Sequence, residues 1–178
     1  MESNMKCTIT VEQIMDKIKE TEEKRQKLIQ LGKRIAEHLG VDELPIEFVD
    51  ILEEDAKLVL KPNPKILIAD HTYTKYEFLA CCLAHEYRHC FQIYWANLMD
   101  DDIAKLWMEE LKNPKHSGNI DTNNQEELLA YSTQAIEVDA EAFAIHYLRT
   151  FESINIKRKD EWYQRLLELY INKYKERL

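Results

Sequence analysis

Apolar residues recur through the first forty positions at helical spacing: Val11, Ile14, Ile18, Leu28, Leu31, Ile35 and Leu39. Thr10-Val-Glu-Gln13 in front of them matches a capping box, in which the Thr and Gln side chains satisfy amide donors that a helix start leaves open. Gly40 supplies a stop. This pattern predicts one helix over 10–39, with the charged middle, Lys19 to Lys27, solvated on most sides. Its apolar face packs on its own domain or, given the seven-residue spacing, on a partner helix.

Between 45 and 70 the period shortens. Ile46-Glu-Phe48-Val-Asp-Ile51 partly alternates, Leu58-Val-Leu60 is short and apolar, and Lys65-Ile-Leu-Ile-Ala69 reads as a strand. Pro62-Asn63-Pro64 forbids helix between the last two and favours a turn. A small antiparallel sheet of about three strands is expected here.

Helical patterning returns at Thr74-Lys-Tyr-Glu77, a second capping box, which opens a helix over about 75–98. No Gly or Pro interrupts Phe78 to Ala96. A short helix over about 101–111 follows Asp100-Asp101-Asp102, whose charge suits a helix N-terminus. Asn113 to Asn119 is a loop. Helix resumes from Thr122 to Thr150 with a break near Ser132-Thr133. Asp160 to Leu178 is a last amphipathic helix with Trp162, Leu166, Leu169, Tyr170 and Tyr174 on its apolar side. The fold class predicted is α+β, mostly helical, with the small sheet packed on the helix of 75–98 and long helices at both ends. The chain divides into an N-terminal helix (1–40), a core (41–150) and a C-terminal helix (151–178), all within one compact domain.

The 178 residues suffice for one domain with a real core. With 24 Lys and Arg against 33 Asp and Glu the formal charge is −9, which makes nucleic acid and anionic membrane poor partners. The longest apolar run, Phe78 to Ala84, is too short to span a bilayer, and Met1 to Lys6 has no apolar signal region. Cys7, Cys81, Cys82 and Cys90 make no CxxC pair. They read as reduced thiols, packed as small hydrophobes in a cytoplasmic protein.

Candidate chemistry centres on His85-Glu86-Tyr87-Arg88-His89. On a helix, positions i and i+4 lie one above the other, so both imidazoles can reach one Zn²⁺. Glu86 falls about 100° round the helix, beside the ion and not on it, where it can accept a proton from the attacking water. A third ligand must come from elsewhere. Glu137-Val-Asp-Ala-Glu141-Ala-Phe-Ala144 offers Glu137 and Glu141 on one helical face among apolar neighbours, with Asp139 pointing away. Either glutamate would complete a His₂Glu set that leaves a fourth position open, as hydrolysis requires.

His85-Glu-Tyr-Arg-His89 followed by E-x-D-A-x-A-F-A resembles the gluzincin zinc metallopeptidases, above all the small intracellular ImmA/IrrE-like peptidases and the minigluzincins. The resemblance covers roughly 65–145 and leaves both terminal helices unexplained. It implies Glu137 as the third zinc ligand and Glu141 as an acid steadying His85, with Glu141 as ligand the competing assignment. Many gluzincins place Asp where this chain has Glu141. The family likeness also suggests that the strand Lys65–Ala69 pairs with an extended substrate.

The function predicted is a zinc-dependent metallopeptidase acting on a peptide or protein, with His85, His89 and Glu137 on the metal and Glu86 as general base. The alternative is a protein without peptidase activity, either with a structural or degenerate zinc site or a helical regulatory protein whose histidines merely hydrogen-bond to carboxylates. Among neighbours, Cys81 lies one turn before His85 and reads as a packing residue, and His116 reads as exposed in its loop. Arg88 points away from the metal towards an acid of the sheet or tail. Gln92 touches the edge of the site without an assigned role. An oxyanion-stabilising donor is expected, with Tyr131 favoured over His146, which falls on the far side of a continuous helix.

Overall fold

A computed structural model describes residues 10–50, 54–69, 74–112, 129–130 and 132–175. The first helix forms as α1, Val11–Leu39, closed by the Thr10/Gln13 capping box and by Gly40 at φ 67°. Its C-terminal half packs through Leu28, Leu31 and Ile35, all fully buried, whereas Met15 and Ile18 are exposed. A side chain at Gly32 would put its Cβ 2.8 Å from Ile46 Cδ1 and 3.1 Å from the Tyr87 ring. Glycine there lets α1 press against the first strand and the histidine helix.

Three strands follow: β1 (Ile46–Val49), β2 (Ala56–Val59) and β3 (Lys65–Ala69). The Pro62–Pro64 turn joins β2 and β3 as an antiparallel pair, as the sequence suggests. The sheet is nonetheless mixed, in the order β1-β3-β2, because β1 lies parallel to β3. The expectation that β3 stands free for a substrate strand is therefore overturned: β1 and β2 take both its edges. Ile66 and Ile68, on one face of this central strand, are fully buried, while Leu67 on the other is partly covered.

The histidine helix is α2, Tyr76–Leu98. Lys75 is its N-cap, with extended φ −67° and ψ 143° and no side-chain cap. The expected Thr74/Glu77 box is not formed, since a start one residue later puts Glu77 at the second helical position instead of the third. α3, Asp102–Lys112, is capped by Asp101, whose carboxylate accepts the Ala104 amide at 2.7 Å. The break foreseen near Ser132 falls at Gln134, and α4, Ala135–Phe151, begins there with its Ala135 and Ile136 amides donating to Glu110 of α3.

α4 is the centre of the molecule, buried from Val138 to Leu148 between α2 and a last helix, α5, Glu161–Lys175. On α5 the buried stripe is Leu167 and Ile171 with Tyr163, Leu166 and Tyr170 partly covered. Trp162 and Leu169 are 50% and 63% exposed, against expectation. The core face is thus turned by about one position from the aromatic-led stripe read in the sequence. Among the described residues no helix is long and apolar enough to cross a membrane.

Candidate metal centre

Packing of α2 against α4 brings the two candidate segments together. The one-turn spacing stacks His85 and His89 so that their Nε2 atoms are 2.9 Å apart. Glu137, in the first turn of α4, puts Oε2 3.2 Å from His85 Nε2 and Oε1 3.6 Å from His89 Nε2. Two ligands about 2.05 Å from one tetrahedral ion would be about 3.3 Å apart, a spacing these separations bracket. The donor atoms of His85, His89 and Glu137 all lie within 4.8 Å of one another, close enough to hold a metal ion. Their side chains are 12–18% exposed, so the cluster is sheltered yet reachable.

Glu141, one turn further along α4, takes a different position. Its Oε2 is 3.6 Å from His85 Nδ1, the ring nitrogen turned away from the cluster. Its other oxygen accepts from Arg158 Nε at 2.6 Å and pairs with Nη2 of the same guanidinium. Burial opposes charge on His85, but hydrogen bonds to Glu137 and Glu141 outweigh it and push the imidazole up to about 10. Despite burial of its own, Glu137 is held well below the usual carboxylate range by the two histidines. Glu141, likewise buried, is lowered by His85 and Arg158.

These shifts predict how the protein responds to pH after chelation. A folded-state pKa raised from 6.5 to about 10 means that the folded chain holds an extra proton between those values. That stabilisation is complete below pH 6.5 and is lost as pH rises towards 10. Urea midpoints of chelated protein should therefore fall across that window. A midpoint that holds steady there would show that His85 is not gripped by the two glutamates.

The remaining groups of H-E-x-x-H are also placed. Glu86 accepts the Leu58 amide of β2 at 2.8 Å. Ile66 donates its amide to Pro45, on the β1 side, so Leu58, its register partner, turns its own amide to the sheet's outer edge and to Glu86. Tyr87 is fully buried and bonds to both amide and carbonyl of Leu44, fixing α2 to the segment before β1. Arg88 pairs with Asp139 of α4 at 2.8 Å, not with an acid of the sheet or tail. Its guanidinium lies 4.4 Å from the Phe91 ring centre and 5.2 Å from that of Phe143.

Gln92, given no role by the sequence, is the joint between these two layers. Its Oε1 accepts from His89 Nδ1 at 2.7 Å, while its Nε2 donates to Ile136 O and Asp139 Oδ2, each at 2.8 Å. A ring that donates from Nδ1 presents a free lone pair at Nε2, on the side of His85 and Glu137. Sequence spacing offered one clue, since Gln92 lies one turn past His89.

Burial pushes Cys82 and Cys90 up to about 12, with Asp55 and Glu86 adding to it respectively, and raises Cys81 well above the ordinary thiol range. All three are free thiols, and protonated thiols are poor metal ligands. His116 and Tyr131 lie outside the described residues. His146 is buried on α4 and does not line the cleft.

That cleft, about 830 Å³, opens beside His85, Glu137 and Glu141, and its wall comes from the segment before and into α5, including Arg158 and Tyr163. Burial and the nearby Glu141 raise the Tyr163 phenol, so it stays protonated and able to donate. Neither residue stood out in the sequence, since no periodicity ties them to the histidines. No family model, curated protein or solved structure matches this chain.

Proposed function

We propose that this chain is a zinc metallopeptidase of the gluzincin kind, in which His85, His89 and Glu137 hold the ion and Glu86 is the general base. The observation that carries this reading is the meeting of three ligand-type side chains from two separate helices at one point of an open cleft. Two imidazoles and one carboxylate suit zinc and leave a fourth position open, as in hydrolytic sites. When bound, zinc acts as a Lewis acid and brings the pKa of water towards neutrality.

The chain's own residues supply the rest. Gln92 fixes His89 with its Nε2 towards His85 and Glu137, and Glu141, held by Arg158, faces the back of His85. Glu86 takes the proton from attacking water and delivers it to the leaving amine. Tyr163, protonated in the cleft wall, is the candidate donor to the developing oxyanion. An extended substrate has β2's outer edge open to it, since β3 is enclosed. Three free thiols suit a reducing compartment, and we place the protein in the cytoplasm.

Metal analysis of protein purified without a histidine tag tests this reading. One zinc per chain is expected, with cleavage of a broad peptide library abolished by chelation and restored by zinc. Protein that takes up no zinc when it is resupplied would instead favour a helical interaction protein.

A further inference from the structure

The wall of the metal cleft carries a run of three bases, Lys157, Arg158 and Lys159, in a chain whose formal charge is −9. The run is not a loose strand of surface. From Phe151, where α4 ends, to Lys159 exposure alternates residue by residue, with Ile154, Ile156 and Arg158 turned inward and Asn155, Lys157 and Lys159 outward. Such alternation puts Lys157 and Lys159 on one side of an extended segment. Arg158 anchors it twice: its guanidinium holds Glu141 and its amide donates to Gln164 Oε1 at 2.8 Å. Gln164 in turn donates to Glu168, which Arg149 of α4 also holds.

The charges of the cleft do not cancel once these bonds are set aside. Glu137 faces the two histidines and Glu141 is paired with Arg158. Among the described residues neither Lys157 nor Lys159 makes an ion pair. The one remaining acid of the lining, Asp160, precedes α5, where a helix N-terminus favours a carboxylate. Half-exposed Trp162 and partly covered Tyr163 stand beside the lysines as an aromatic surface.

Resting on the metallopeptidase reading, we infer that the cleft selects peptides bearing a carboxylate next to the scissile bond, received by Lys157 and Lys159. The carboxylate belongs either to an Asp or Glu side chain or to the peptide's own C-terminus. A positive wall beside a positive ion also speeds the approach of such substrates, and this steering weakens as salt is raised.

The test uses zinc-loaded protein and degenerate peptide libraries that are identical except for one fixed central residue, Glu, Gln or Lys. Each library is made with a free or an amidated C-terminus. Cleavage is followed with the native protein and binding, by calorimetry, with Glu86→Gln. The Glu library should be preferred over Gln by about two- to fivefold, as expected for exposed charge pairs. A preference confined to free C-termini assigns the carboxylate to the chain end. Lys157→Glu/Lys159→Glu should turn the preference towards the Lys library at unchanged zinc content. Equal handling of all libraries, or a preference that survives the double reversal, overturns the inference while leaving a cleaving enzyme. A charge preference in binding without any cleavage upholds the cleft assignment and defeats the peptidase reading instead. Failure to bind any library overturns both.

Discussion

On the proposed metallopeptidase reading, Glu86→Gln should keep zinc and lose hydrolysis by about 10²- to 10⁴-fold, the usual contribution of a positioned acid–base group. The reason lies in what the substitution leaves alone. Glu86 is not one of the three residues whose donor atoms converge. The amide of glutamine keeps a carbonyl oxygen where the carboxylate accepts from Leu58, so the tie between α2 and β2 survives. Only the ability to take a proton is removed. Glu137→Ala tests the other half, because it withdraws one of three ligands and leaves two imidazoles. Its zinc affinity, measured by competition with a chelator, should fall below that of Glu141→Ala, whose loss should be about 10- to 100-fold, as for partners that orient a ligand. Normal turnover by Glu86→Gln would remove the base from the scheme. Full zinc in Glu137→Ala with none in Glu141→Ala would exchange the two glutamates.

The largest loss of stability is expected at Asp139→Ala, about 3–5 kcal/mol, because it leaves the Arg88 guanidinium buried without its anion. Arg88 and Asp139 are each only 8% exposed, so solvent cannot take over the missing partner. The same carboxylate accepts from Gln92, which would lose one of its three bonds. For a domain whose whole stability is about 5–15 kcal/mol, this loss should be plain in urea or thermal unfolding. Replacing both partners by apolar residues, as in Arg88→Met/Asp139→Leu, should recover most of the loss. A single variant within about 1 kcal/mol of the parent would show that Arg88 finds water or another acid.

How far the sequence spoke depended on whether a feature is local. The α1 caps at Thr10 and Gly40, the hairpin at Pro62–Pro64 and the paired histidines are written within a few residues, and all appear as read. Strand order is not local. Whether β1 pairs with β2 or β3 is decided by packing between segments distant in sequence, which no period encodes. A cue was present in Lys65–Ala69, the most apolar of the three strands and so the one suited to the middle. Arg88 was expected to pair with an acid of the sheet or tail, but its partner Asp139 is 51 residues distant and became visible only once α4 lay against α2. Arg158 and Tyr163 were hidden for the same reason, since they reach the cleft through an irregular segment. On α5 the large aromatic Trp162 drew the apolar face towards itself, whereas burial followed the better-fitting Leu167 and Ile171.

Leu58 has a single amide hydrogen to give, and in the resting protein Glu86 has it. Any backbone laid along the rim of β2 must claim that hydrogen for one of its own carbonyls. On the proposed reading, docking there and release of the carboxylate become one exchange, in which the newcomer unfastens the proposed base. Until then one of the two Glu86 oxygens stays tied to the sheet.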